Sequence, residues 1–94
     1  MNGIEHIQQE REKQITKHGY TPESDSEYKN KELMLGALSY LNTAIYGPGP
    51  GSEDWPFSME YFKPGTNVVE TLSKAGALIA AEIDRINYVE KNND

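Results

Sequence analysis

The 94-residue chain is predicted to be all-α. Three segments repeat apolar residues at spacings of three and four, almost no segment is β-rich, and the strongest helix breakers gather in two connections. Together these predict one domain over residues 1–94: a compact bundle of three main helices, at about 2–17, 26–46 and 66–89, with a long ordered aromatic loop at about 47–65 between the second and third.

In the first helix Ile4, Ile7, Arg11 and Ile15 form one narrow stripe among good helix formers. Gly19 is a natural C-terminal stop, and His18 just before it is most simply a C-terminal cap favoured by the helix dipole. Thr21-Pro22 breaks the first helix, and Ser24, Asp25 and Ser26 offer N-cap oxygens for the second, whose start is expected there or a turn later. That helix is expected to turn Leu33, Ala37, Leu38, Leu41, Ala44 and Ile45 inward, with Gly36-Ala37 leaving room for another backbone.

In the third helix Val68, Leu72, Ala75, Ile79, Ile83 and Ile86 mark one face, widened by Val69, Gly76 and Ala80. The small apolar run from Ala75 to Ala81 implies burial on more than one side, against a second helix of the same chain or a partner subunit; it is the preferred subunit contact of an expected homodimer or larger homo-oligomer. The closing residues Glu90–Asp94 read as frayed.

Composition narrows function. There is no cysteine, hence no disulfide and no thiolate metal site. The formal net charge is −6, which argues against general nucleic-acid binding while leaving room for one small anionic ligand in a locally basic pocket. The start of the chain is polar, and no apolar run approaches a membrane span; a cytoplasmic protein is the simplest expectation. A hydrophobic fraction of 36% is low for a self-sufficient core, which favours self-association.

The loop GPGPGSEDWPFSMEYFKPG, with its prolines and glycines, is not expected to be helical. It nonetheless holds Trp55, Phe57, Tyr61 and Phe62. Phe57 and Phe62 lack a polar handle and are expected to close the core. Trp55 and Tyr61 each join an apolar body to a hydrogen-bonding tip, the type that stacks on a flat ligand. Lys63, fixed between an aromatic residue and a proline, adds a cation; a planar, anionic ligand such as a nucleotide suits that set. Arg11 interrupts the apolar stripe of the first helix. Two roles are open to it: bidentate contact with a phosphate, or a pair with Asp25 or Glu32 that anchors the 18–30 connection. Tyr20, in that connection, is placed to pack over the same region, beside His18.

Several motifs combine into a resemblance. Glu10-Arg11-Glu12-Lys13-Gln14, Gly19–Asp25, Glu32-Leu33, Trp55-Pro56-Phe57, Phe62-Lys63-Pro64 and Lys74–Arg85 together cover nearly the whole chain. The chain resembles a group of small proteins common in phage and prophage genomes, with Tyr20 and Phe62 standing where tryptophan is usual. A fainter likeness is to the all-α nucleotide pyrophosphohydrolases of the MazG type. The latter implies acidic pairs three residues apart on helix faces that hold magnesium. Here Glu32 has Leu35 and Gly36 at those positions, and Glu82 has Arg85. Glu82 and Arg85 read as a surface ion pair and Glu70 as a partner of Lys74, leaving convergence of Glu32, Glu82 and Asp84 as the only route to a metal cage. No catalytic residue, metal ligand or cofactor is assigned.

Three functions follow as expectations. The first is non-catalytic binding of a small nucleotide or cyclic nucleotide through Trp55, Tyr61, Lys63, Arg11, Tyr20 and His18; in a phage setting this would sequester a host defence signal. The alternatives are an acidic interaction protein that inhibits a host protein, and a diverged pyrophosphohydrolase.

Overall fold

The structure, a computed structural model, describes residues 1–29 and 31–92. Its first helix, α1 (Gly3–His18), is bracketed by strong caps. Asn2 accepts from the Glu5 N–H while Glu5 accepts from the Asn2 N–H, both at 2.9 Å. Gly19 ends it in the left-handed conformation, its N–H bonded to the Gln14 carbonyl.

The second predicted helix is divided. Thr21 caps a short helix, α2 (Pro22–Asp25), and the long helix α3 (Glu32–Tyr46) starts six residues later than expected. Lys31 sits at φ 66°, and this left-handed residue prevents a continuous helix across the junction. Asn30 lies outside the described residues.

The proline-rich segment also departs from expectation, since Pro48–Gly51 forms a helical turn, α4. Pro48 and Pro50 both fall in the first turn, where backbone N–H groups have no intrahelical acceptor to lose. Two 3₁₀ turns follow, Ser52–Asp54 and Met59–Tyr61.

The last helix, α5 (Val68–Asn92), begins where Asn67 accepts from the Glu70 N–H at 2.8 Å. Glu70 bonds the Thr66 N–H and hydroxyl rather than Lys74. The predicted fraying does not start at Glu90, because the helix runs on through Asn92; Asn93 and Asp94 lie outside the described residues.

α5 is the spine. α1, α2 and α3 each pack on it, whereas α1 and α3 do not pack on one another among the described residues. α3 runs antiparallel to it: Gly36 faces Leu78, and Tyr40, one turn further on, meets Lys63 beside Lys74. Leu33, Ala37, Tyr40, Ala75, Leu78 and Ala81 form the core, with Tyr28, Trp55, Phe57 and Phe62 packed against it. Phe57 and Phe62 thus sit where the sequence placed them.

The small residues of α5 lie inside the chain, correcting their expected role as a subunit contact. Ala77 and Ala81 are fully buried, and Gly76 presses on Ile7 of α1, whose side-chain carbons lie 2.7 Å from where a Cβ would stand. Gly36 likewise admits rings rather than another backbone, with Phe57 and Trp55 against it.

The larger apolar side chains expected inward are displaced outward. Leu38, Leu41 and Ile45 on α3, and Leu72, Ile79, Ile83 and Ile86 on α5, are between 37% and 61% exposed, and Met34 beside them on α3 is 43% exposed. Val68 and Val69 at the start of α5, and Ile4 and Ile15 on α1, are exposed as well. A spine packed on both flanks uses small side chains where helices approach and leaves its bulkier ones on the remaining face.

A candidate ligand cavity between α1, α3 and the aromatic loop

Because α1 and α3 lie apart on α5, a cleft runs between them, and the aromatic loop folds over it. This leaves a cavity of about 210 Å³. α1 contributes Glu10, Lys13, Gln14 and His18; the connection contributes Tyr20 and Tyr28; α3 contributes Leu33 and Tyr40. The loop supplies Trp55, Phe57, Tyr61 and Lys63, and α5 supplies Glu70, Lys74 and Leu78.

Five of the residues singled out from sequence therefore border one space: Trp55, Tyr61, Lys63, Tyr20 and His18. Arg11 does not. It is buried behind the wall, donating to Asp84 Oδ2 at 3.0 and 3.3 Å, to the Tyr20 carbonyl at 2.9 Å and to Gln14 Oε1 at 3.3 Å. Its carboxylate partner is Asp84, not Asp25 or Glu32. Arg11 positions two cavity residues, Gln14 and Tyr20.

The loop is held by rings. Trp55 lies 5.1 Å from Tyr40, 5.1 Å from Phe62 and 5.3 Å from Phe57 between ring centres. Edge-on geometries such as those with Phe57 and Phe62 are favourable for aromatic pairs. The indole N–H donates to the Ser58 carbonyl at 3.0 Å. The polar tip of Trp55 is thus used within the loop, and the indole offers the cavity only ring surface. Tyr61 is more open, at 56% exposed. Among the described residues His18 makes no cap bond to a helix carbonyl; its ring is 5.7 Å from that of Tyr20.

Lys63 is fixed through its backbone. Its N–H donates to the Tyr40 hydroxyl at 3.3 Å, and its carbonyl accepts from Lys74 Nζ at 2.7 Å. Its own ammonium group makes no hydrogen bond or ion pair among the described residues. Lys13 is tied to Glu10 at 3.3 Å. Burial raises the Tyr20 phenol, with the Asp25 charge adding to the effect. It also raises Tyr40, against the opposing pull of the Lys63 N–H. Both phenols therefore stay protonated at neutral pH and can donate.

Sequence reasoning missed Tyr40, Tyr28, Lys13 and Lys74. Tyr40 was legible as the third member of the line Leu33, Ala37, Tyr40. The lysines carry no local signal, because only the fold brings them together.

Beside Arg11 lies a second ionic group. Glu82 is 4% exposed and pairs with Arg85, so this is a buried pair rather than the expected surface one. Asp25 is fully buried, and among the described residues no donor reaches either carboxylate oxygen. Burial pushes its pKa from 3.8 to about 6, against the lowering effect of Arg11. Glu82 and Asp84 are each committed to an arginine, and among the described residues no three His, Asp or Glu side chains converge to hold a metal ion.

The Asp25 shift has a defined sign. The folded state holds this proton more tightly than the unfolded chain, so the group costs stability as pH rises from about 4 to about 6, by about 3 kcal/mol in full. Asp25→Asn has no such proton. The difference in urea-unfolding free energy between Asp25→Asn and wild type is expected to move in the variant's favour across that window and stay level above pH 7. A difference independent of pH would show that Asp25 ionises normally.

No protein-family model, curated protein or solved structure matches the chain. No helix among the described residues is long and apolar enough to cross a membrane.

Proposed function

We propose that this cavity binds a small nucleotide or cyclic nucleotide without chemical conversion. The observation that carries the reading is the convergence of ring surfaces from Tyr20, Tyr61 and Trp55 with an uncommitted ammonium group, Lys63, around one space. Aromatic stacking is sequence-tolerant and favourable for any nucleobase, and a nearby cation complements a phosphate. A volume of about 210 Å³ suits one base with part of its sugar. The phosphate would lie toward Lys63, with Lys13 and Lys74 nearby. In the phage setting that the sequence resemblance implies, such binding would withhold a nucleotide signal from the host's defence.

The single tryptophan supplies the test. Titration with linear and cyclic mononucleotides is expected to give a saturable change in Trp55 emission. Lys63→Glu is expected to weaken the apparent affinity at least tenfold, with circular dichroism unchanged. Flat emission together with no heat by calorimetry, across the panel, would reject the reading.

A further inference from the structure

On the side of α3 and α5 turned away from the cavity lies an apolar face. At 100° per residue, the exposed stripe of α5 is about 150° round the helix from its cavity-lining residues, and that of α3 about 120°. Past Glu32, its first residue, α3 carries no charged side chain. A helix that is apolar nearly all round belongs in an interior, yet its outer side is open here. Between Thr71 and Ala81 the only charged residue of α5 is Lys74, which faces the cavity.

We propose that this face binds a second copy of the same chain, pairing α3 and α5 of one protomer with α3 and α5 of the other about a two-fold axis. The available area agrees. Eight large side chains left 37–61% exposed offer roughly 600–700 Å², near the ~800 Å² per partner of a stable interface and above the largest patch of a typical monomer. The chemistry agrees as well. The net charge of −6 sets two copies against each other at a distance, but none of the eight side chains is ionisable and Glu90, on the same stripe of α5, lies beyond Ile86 at its end, so no like charges meet at its centre. A strip of aliphatic side chains on two antiparallel helices can be its own complement, which an isologous contact requires. A lipid surface is the poorer occupant, because the face lacks the lysine and arginine fringe of membrane-lying helices. The contact leaves the cavity side free, so dimerisation and ligand binding are separable.

Sedimentation equilibrium on the intact chain tests this. The wild type is expected at twice the 10.6 kDa chain mass. Leu41→Glu and Ile79→Glu are each expected to sediment as single chains with helical circular dichroism retained. A wild-type mass of one chain at about 100 μM, or a dimer unmoved by both substitutions, would overturn the proposal. Should either variant unfold, cysteine scanning decides, since the chain has no cysteine of its own. Leu38→Cys and Ile83→Cys are expected to cross-link into dimers on mild oxidation, while Thr16→Cys on α1 stays monomeric in denaturing gels. Equal cross-linking at all three positions would reject this face.

Discussion

Gly51→Ala is expected to lower the unfolding free energy by about 3 kcal/mol, a large effect for one methyl group. Gly51 is buried where α4 crosses the end of α3. A Cβ there would overlap the Thr43 hydroxyl and stand 2.8 Å from the Thr43 Cα. The hydroxyl could rotate away, losing its 2.8 Å bond to the Ser39 carbonyl. The Cα cannot move without α3, so α4 would lift and carry the aromatic loop with it. Loss of stability should therefore be accompanied by red-shifted Trp55 emission. Gly49→Ala is the control: nothing lies within 4 Å of a Cβ at that position. It should be neutral, or stabilising by up to about 1 kcal/mol through the unfolded chain. Equal urea midpoints for the two variants would show that α4 is not anchored as described.

Arg11→Met is expected to cost about 2–4 kcal/mol, although methionine fills much of the same volume. The guanidinium serves Asp84, Gln14 and the Tyr20 carbonyl at once. It is also the main cation that lowers the pKa of Asp25. Its removal leaves the buried Asp25 with less compensation, so the penalty grows above pH 6 and shrinks toward pH 4. Asp84→Asn removes only one partner, on a side chain 47% exposed, and should cost under about 1 kcal/mol. Urea unfolding at pH 4.5 and pH 7.5 separates the two. If Arg11→Met costs no more than Asp84→Asn at both pH values, Arg11 does not anchor the connection.

The main helices were legible because their signals are local: a stop at Gly19 and spacings of three and four throughout. The division before α3 was not, because it depends on the left-handed Lys31, a residue type with no preference for that conformation. Nor did periodicity say which apolar face would be covered. It chose Leu72, Ile79 and Ile83, whereas the chain buries Thr71, Ser73, Ala77 and Glu82 of the same helix. The choice turns on α5 having neighbours on both flanks, a long-range fact. Arg11 stood out by interrupting a stripe; its partner, 73 residues away, could not.

That α1 and α3 meet only through α5 has a consequence for synthesis. As the chain leaves the ribosome, α1 and α3 both emerge before α5, the helix on which both pack. α1 has no partner helix until α5 follows, and α3 until then can meet only α4 and the aromatic loop. The N-terminal part therefore stays open, and the decisive closures span most of the chain, as Arg11 to Asp84 does. Long closures slow folding, so this helical protein should refold more slowly than its secondary structure implies and be most vulnerable to proteases while still nascent.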